Sequence, residues 1–182
     1  MKIAYWMLAA SFTLLSCGEG HKDGMKDYGI IPMPNGMVPE QGTYILQGEK
    51  TVAVSSEEPS MKVFQYFENA LKNTSVTLKR VSLTEQADIR FLINDTLPDE
   101  AYTLEVSSHN IKISSNASAA GLFYGVQSLL QLMPVEIYDT QRKYESNLEI
   151  PAVNITDAPR FPYRGAMMDV GRNFLPKEEV LK

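Results

Sequence analysis

The sequence predicts an α+β domain, a sheet with helices on one face, over residues 30–153. Two observations predict it: short stretches in which apolar and polar residues alternate, as in half-buried strands, and two longer stretches with apolar residues at helical spacing. Residues 154–182 add a third observation, a strand–loop–helix pattern. Because such a unit alone has nothing to pair with or bury against, we expect a larger α/β domain to begin there.

The composition is that of a folded, mildly acidic protein. The 182 residues, 44% of them apolar, suffice for one domain with a hydrophobic core. The formal charge of -5, with acids and bases mixed along the chain, gives no basic patch for nucleic acid. A single cysteine excludes an internal disulfide and a cysteine metal cluster. His21 and His109 are not at a ligand spacing, so we predict no metal site and no cofactor.

The N-terminus predicts a targeting segment. Residues 3–15 form an apolar run that is too short to span a bilayer comfortably and suits a secretory signal. Residues 14–17, Leu-Leu-Ser-Cys, resemble the bacterial lipoprotein signal, in which cleavage precedes an acylated cysteine. We predict a lipoprotein signal peptide in residues 1–16, lipidation of Cys17, a Gly-rich tether in residues 17–29, and an exported protein anchored at the bacterial cell envelope. The alternative is an ordinary signal peptide, or a buried helix with an unrelated cysteine.

The strands of the α+β domain are predicted from short apolar or alternating stretches. They are residues 44–46, 52–54, 75–79, 89–93, 102–106 and 111–113. The last two flank Ser107-Ser108-His109-Asn110, and these turn residues predict a β-hairpin. His109 is expected to be exposed and structural.

Two helices complete the predicted domain. The first begins near Pro59, and its apolar residues recur at helical spacing until Asn73. Its aromatic residues are expected to pack in the core rather than stack on a sugar; they are Phe64, Tyr66 and Phe67. The second runs from about Ser118 to Met133, with Asn116 or Ser118 as the cap. On it, Gly121 and Gly125 predict close packing on the sheet.

The final stretch predicts one more strand and one more helix. Ala166–Val170 is a short apolar run that suits a strand buried on both faces, with Asp169 near its end. Pro176 follows, and Glu178 and Glu179 come directly after it. Proline at a first helical position with acids in the first turn is typical of a helix start.

The residues of this final stretch resemble the start of the catalytic barrel of glycoside hydrolase family 20, the β-N-acetylhexosaminidases. The shared pattern is Asp157-x-Pro-Arg-Phe-x-x-Arg-Gly-x-Met-x-Asp-Val-x-Arg-x-Phe-x-Pro176. Residues 101–106 and 120–132 resemble the non-catalytic domain that precedes the barrel in that family. Both resemblances occur in the family's order. They imply an α+β accessory domain followed by the first β-α step of a truncated (β/α)8 barrel.

The resemblance gives Arg164 a role. In the family, the matching arginine belongs to the first barrel strand region and hydrogen-bonds hydroxyls of the terminal sugar, to which a guanidinium offers several donors. Gly171 and Asn173 depart from the family pattern, where Ser or Ala and His are frequent. Asp169 would end a barrel strand, where catalytic residues gather, or would serve as a structural partner of Arg164 or Arg172.

The resemblance also implies a chemistry. The family removes terminal N-acetylglucosamine or N-acetylgalactosamine from glycans by retaining catalysis in which the substrate's acetamido group is the nucleophile. An adjacent Asp-Glu pair orients that group and acts as general acid and base. The only Asp-Glu dipeptide here, Asp99-Glu100, falls in the accessory domain and does not match that position. We expect both to be solvated loop acids, so no catalytic residue is predicted and the chain alone is expected to be inactive.

Two other classes of function stay open at this point. The chain could be a non-catalytic surface lipoprotein, a glycan-binding or scaffold module with a vestigial barrel start. It could also belong to a polysaccharide lyase or chitinase of similar layout, which the pattern around Arg164 disfavours. The partners that the sequence predicts are a glycan with a terminal N-acetylhexosamine and, through Cys17, a membrane.

Overall fold

The computed structural model describes residues 28–117, 119–139, 141–169, 171 and 174–180. The predictions for the signal peptide, for Cys17 and for most of the tether lie outside the described residues. Among those described, no helix is long and apolar enough to cross a bilayer.

Among the described residues, seven strands and two main helices form the domain. The strands are β1 (Gly36–Leu46), β2 (Glu49–Ala53), β3 (Thr77–Val81), β4 (Ile89–Ile93), β5 (Tyr102–Val106), β6 (Ile111–Ser115) and β7 (Leu148–Asp157). The helices are α1 (Glu58–Ala70), α2 (Ala120–Gln131) and a single turn, α3 (Lys177–Val180). A 3-10 helix spans Val135–Tyr138.

The strands form one mixed sheet in the order β1-β7-β5-β6-β4-β2-β3. Four neighbouring strands, β3, β2, β4 and β6, are parallel, while β5, β7 and β1 pair antiparallel. Helix α1 supplies the crossover that a parallel β2–β3 pair requires. The predicted hairpin is confirmed: β5 and β6 pair in antiparallel register, with Val106 opposite Ile111.

The core lies between the sheet and α1 and α2, which also contact each other. Apolar side chains alternate inward along the strands, as in Leu104 and Val106 of β5, while Glu105 faces out. Phe67 is fully buried and Phe64 nearly so, which confirms their core role. The prediction is wrong for Tyr66, which is 40% exposed. Its ring meets that of Phe123 edge-on at 5.0 Å, on the outer side of the two helices.

Helix α2 packs closely on the sheet, as its glycines predict. A Cβ at Gly121 would overlap the carbonyl oxygen of Ala101, and one at Gly125 would overlap the side chain of Ile113. The N-cap is Ala119 rather than either predicted residue, Asn116 or Ser118, and Ser118 lies outside the described residues. The helix begins after Ala119, which has φ 57° and gives no side-chain cap, while the Asn116 amide donates to Asp99 Oδ1 at 2.6 Å.

Strands β1 and β7 differ most from the sequence predictions. Strand β1 begins at Gly36, well before the predicted strand at residues 44–46, and residues 148–157 form β7, for which no strand is predicted. Pro151 weakens the strand signal there, but pairing with β1 on one side and β5 on the other supplies the backbone partners. Strand β7 therefore carries the sheet four residues past the expected boundary at residue 153.

The structure describes residues 166–169 of the predicted strand Ala166–Val170, and these residues do not form a strand. Residues 162–169 have no regular structure, and Met167 is 99% exposed. A strand needs a neighbour to accept and donate its backbone hydrogen bonds, and no described strand runs alongside these residues. The predicted helix start after Pro176 is confirmed as the single turn α3, in which the Val180 amide donates to the Pro176 carbonyl.

Candidate functional site

A cavity of about 710 Å³ lies at one end of the domain. Its walls come from residues 30–35 and from residues 157–164, at and after the end of β7, and its floor comes from α2 and Tyr102 of β5. The volume lies in the range of small-molecule sites, about 300–1,000 Å³. Aromatic side chains and a few polar groups converge on it, as is typical of small-molecule sites.

Helix α2 supplies the floor. Tyr102 on β5 is 3% exposed, and its hydroxyl lies 2.6 Å from Ser128 Oγ on the helix. Burial raises the pKa of Tyr102 to about 12, so this phenol stays protonated at neutral pH. Gln131 Oε1 accepts a hydrogen bond from the Ile31 amide at 2.8 Å and anchors the N-terminal wall.

The two chain segments that form the other walls are tied together by what we name the Asn35 clasp. The Asn35 amide donates to Asp157 Oδ1 at 3.0 Å, and its side-chain amide donates to the Ala158 carbonyl at 2.7 Å. Arg160 Nε then donates to Asn35 Oδ1 at 3.2 Å. The clasp therefore joins the start of β1 to the end of β7.

Arg164 lies at the rim of the cavity in a ring of hydrogen bonds. Its Nη2 donates to Glu100 Oε2 at 2.8 Å and to the Tyr124 hydroxyl at 3.2 Å. The Tyr124 hydroxyl donates to Glu100 Oε1 at 3.3 Å, which closes the ring. Nη1 donates to the Phe161 carbonyl at 2.7 Å. Arg164 and Glu100 remain partly open to solvent, with 42% and 35% of their side chains exposed.

The electrostatics of this ring favour a fixed positive charge. The hydrogen bonds that Arg164 donates to Glu100 and Tyr124 raise the pKa of Arg164 above its usual value. A guanidinium carries five N–H groups, and the described contacts use three, which leaves two for a ligand. The site can therefore bind hydroxyl or carbonyl oxygens.

The two carboxylates near the cavity are occupied: Glu100 accepts from Arg164 and Tyr124, and Asp157 accepts from Asn35. No group of three or more His, Cys, Asp or Glu in the described ranges could hold a metal ion. The described polar contacts at the rim of the cavity centre on Arg164.

The other predicted residues lie outside this arrangement. Asp169 accepts a hydrogen bond from the Gly171 amide at 2.8 Å, whereas the described hydrogen bonds of Arg164 go to other residues. The other predicted partner of Asp169, Arg172, lies outside the described residues. Asp99 is an exposed loop acid, as expected, and pairs with Asn116. His109 is exposed at the hairpin turn, beside the Ser108 hydroxyl, as expected.

Glu100 and Tyr124 are the residues that sequence reasoning missed. Glu100 was expected to be a solvated loop acid, but it forms the ion pair with Arg164 at a separation of 64 residues. No local pattern signals a contact at that distance along the chain. The sequence does carry a signal for Tyr124. This residue lies outside the apolar face of α2, which favours a position where its hydroxyl group can form hydrogen bonds near the surface.

Comparison with known proteins places the fold in a family. Residues 27–158 match glycosyl hydrolase family 20, domain 2. A beta-hexosaminidase of Porphyromonas gingivalis is 30% identical over 179 residues, covering 93% of this chain and 23% of that protein. A beta-hexosaminidase of Vibrio vulnificus is 36% identical over 155 residues, covering 84% of this chain and 16% of that protein. The chain thus spans less than a quarter of the length of these relatives.

Solved structures agree with the sequence match. The N-acetyl-beta-hexosaminidase of Streptomyces plicatus, solved with Thio-NAglucal, superposes with a TM-score of 0.70 at 28% identity, covering 80% of this chain and 29% of that chain. The GH20 exo beta-N-acetylglucosaminidase of Vibrio harveyi, solved with N-acetylglucosamine, gives 0.64 at 29% identity, covering 80% and 21%. The mixed sheet with α1 and α2, and the match over most of the chain, lead to one conclusion: this chain belongs to glycoside hydrolase family 20 and contains its domain 2.

Proposed function

We propose that this chain is the N-terminal part of an exo-β-N-acetylhexosaminidase that removes terminal N-acetylglucosamine or N-acetylgalactosamine from glycans. The observation that carries the proposal is the family 20 match over residues 27–158, followed directly by Arg164 at the rim of a cavity. The names of the relatives support the substrate class, since they are beta-hexosaminidases and one was solved with N-acetylglucosamine.

In this proposal Arg164 binds hydroxyls of the terminal sugar. Its fixed charge and its two remaining N–H groups suit oxygen acceptors, because hydrogen bonds from a charged donor are stronger than neutral ones. The reaction itself follows the family's retaining route with the acetamido group as nucleophile. The Asp-Glu pair of that route lies beyond residue 182 in the proposed protein, so the chain by itself is inactive.

Residues 154–182 then include the start of the catalytic barrel. Side chains that would be expected inside a packed domain are exposed there: Tyr163 by 87%, Met167 by 99% and Phe174 by 80%. The helical turn α3 follows Pro176, as a β-α step requires. In a complete barrel, the neighbouring strands would supply the backbone partners that residues 166–169 lack here.

We propose further that the protein is a lipid-anchored lipoprotein of the bacterial cell envelope. The support is the Leu-Leu-Ser-Cys stretch at residues 14–17, with Cys17 the only cysteine in the chain. Mass spectrometry of the native product tests this directly. A mature N-terminus at Cys17 carrying acyl mass is expected, and an unmodified N-terminus elsewhere would overturn the anchor.

The alternative function is a non-catalytic glycan-binding or scaffold lipoprotein. The cavity beside Phe123 and Tyr124 is the observation in its favour, because aromatic side chains next to hydrogen-bonding groups suit sugars as well as other ligands. A glycan array with residues 28–158 separates the two functions. The enzyme proposal expects no glycan bound by that segment alone, whereas the alternative requires specific binding.

The enzyme proposal is tested with an aryl N-acetylglucosaminide. The native product is expected to have a mass well above 20.4 kDa and to hydrolyse this substrate, whereas the 182-residue chain is expected not to. Arg164→Ala in the native product should reduce kcat/KM by at least about 100-fold, equivalent to roughly 3 kcal/mol of transition-state binding. Glu105→Gln, which removes a surface ion pair to Lys112, is the matched control and should leave kcat/KM unchanged.

A native product near 20.4 kDa would refute the enzyme proposal for this molecule. Turnover by the pure 182-residue chain would refute the statement that it is inactive. Full activity of Arg164→Ala would remove Arg164 from the sugar site while leaving the family assignment in place.

A further inference from the structure

Glu100 has an unusual, left-handed backbone conformation. It has φ 60° in the left-handed region, where L residues other than glycine are disfavoured, and only one other described non-glycine residue, Ala119, has a positive φ. The residue lies in a turn closed by a hydrogen bond from the Ala101 amide to the Pro98 carbonyl at 3.1 Å. Strain of this kind persists where surrounding contacts hold it, and such residues cluster at functional sites.

The contacts that hold Glu100 all belong to the Arg164 ring. Both carboxylate oxygens are used: Oε2 accepts from Arg164 at 2.8 Å and Oε1 accepts from Tyr124 at 3.3 Å. The Tyr124 ring also lies under the guanidinium, with Arg164 Cζ 6.0 Å from its centroid. Two residues of the domain 2 fold, one in a strained turn and one on α2, thus restrict the guanidinium in two directions.

From this geometry we propose that Glu100 and Tyr124 are positioning residues for Arg164, so that domain 2 takes part in sugar recognition. The inference rests on the proposed function, in which Arg164 contacts the sugar. A free arginine side chain must lose rotamer entropy when it binds a ligand, and a guanidinium that is already fixed loses less. Glu100 and Tyr124 therefore tighten sugar binding without touching the sugar.

The ring is not needed to hold the chain where it leaves the domain. The Asn35 clasp already fixes residues 157–160 through three hydrogen bonds. Arg164 comes later in the chain than the residues of the clasp. Its ion pair with Glu100 is partly exposed, so the pair contributes little to holding the backbone in place. The Glu100 carboxylate, the Tyr124 hydroxyl and the Tyr124 ring together orient the Arg164 guanidinium.

The test is steady-state kinetics of the native product on an aryl N-acetylglucosaminide. Glu100→Gln keeps the shape of the side chain and removes its charge, and Tyr124→Phe keeps the ring and removes the hydroxyl. Each variant is expected to lower kcat/KM roughly tenfold, mainly through KM, because the loss of a hydrogen bond to a charged group is worth about a factor of ten or more. Glu105→Gln is again the control that should change nothing.

Two readouts separate positioning from general stability. In an Arg164→Ala background, Glu100→Gln and Tyr124→Phe should have no additional effect, since the group that they position is absent. With singly deoxygenated substrates, one lacking the hydroxyl that Arg164 contacts, the tenfold loss should also disappear. The melting temperatures of the variants are expected to stay close to that of the native product.

The outcomes distinguish the two proposals. If Arg164→Ala is impaired but Glu100→Gln and Tyr124→Phe are fully active, positioning is refuted and the proposed function stands. If the losses persist in the Arg164→Ala background or on every deoxygenated substrate, the two residues act on stability instead and positioning is refuted. If Arg164→Ala itself is fully active, or the native product has no activity, the proposed role of Arg164 fails and positioning fails with it.

Discussion

Residues 28–158 and residues 159–180 of the same chain differ in how far their apolar side chains are buried and in how far their backbone groups are paired. In the first region, seven strands pair continuously and apolar residues of every strand except β3 are buried in one core. Among the described residues of the second region, only α3 has regular structure, and large apolar side chains such as Tyr163 and Met167 face solvent. The first region packs around its own hydrophobic core, whereas the second contacts it through Arg160 in the Asn35 clasp and through the Arg164 ring. Stability and sugar recognition are therefore expected to depend on different residues.

The largest expected effect is in the core of the first region. Phe67→Ala removes a fully buried ring that contacts Phe91, with the ring centroids 6.2 Å apart. The free energy of unfolding should fall by about 3–5 kcal/mol, the usual cost of emptying a large aromatic site. Urea unfolding of the 182-residue chain measures it. A loss below about 1 kcal/mol would mean that the core can collapse onto the vacancy.

The next effect concerns the close approach of α2 to the sheet. Gly121→Ala adds a methyl group that overlaps the Ala101 carbonyl and lies 2.7 Å from Ser115 Cβ, so the helix must shift. Unfolding should become easier by about 1–3 kcal/mol, as for other overpacked sites. Gly36→Ala is the control, because its Cβ would meet the Thr156 carbonyl at an ordinary 3.5 Å. Equal stability of the two variants would contradict the packing described for α2.

Alkaline pH should weaken the first region through two buried tyrosines. Burial raises the pKa of Tyr44 and of Tyr102 to about 12, against 10 in an unfolded chain. Their stabilisation is complete below pH 10 and is lost as pH rises from 10 to 12, because only the unfolded state ionises in that window. Between pH 9 and pH 11 the unfolding free energy should fall by about 1 kcal/mol for each tyrosine.

Tyr102→Phe sharpens that test. Unfolding of the variant should depend less steeply on alkaline pH than unfolding of the parent chain, since one of the two titrating phenols is gone. An unchanged slope in the variant would show that Tyr102 does not contribute to the effect.

The smallest effect is expected in the second region. Met167→Ser changes a side chain that is 99% exposed, so the unfolding free energy should stay within about 0.5 kcal/mol. The same substitution in the native product should be far more harmful if residues 166–170 become a buried barrel strand there. Equal, negligible effects in both proteins would remove the support that Met167 gives to the barrel start.

Local patterns predicted most of the first region. The helical spacing around Phe67 predicted α1, and the alternation in residues 102–106 predicted β5. Both patterns can be recognised because they involve residues only a few positions apart. Strand β7 was missed because its pairing with β1 and β5 spans more than a hundred residues in one case and about fifty in the other, and Pro151 hides its local signal.

The candidate site was predictable only in part. Arg164 was identified by its resemblance to a family pattern, and it lines a cavity, but its binding role stays a prediction. Glu100 was read from its loop composition, which predicts exposure but carries no information about a contact 64 residues away. The strand at residues 166–170 was expected from apolar composition alone. Composition describes what a segment can bury, whereas a strand also needs a neighbour.

The Asn35 clasp has a mechanical consequence. The clasp joins the start of β1 to the end of β7, so both ends of the domain lie at the same end of the β1–β7 ladder. A force that pulls the two ends apart therefore acts first on the pair Gly36 and Thr156. The hydrogen bonds between antiparallel strands run perpendicular to the strands, so tension there would open the β1–β7 ladder one pair at a time rather than shear all pairs together. Under load the domain should therefore yield first beside the Arg164 cavity, while its core is still intact.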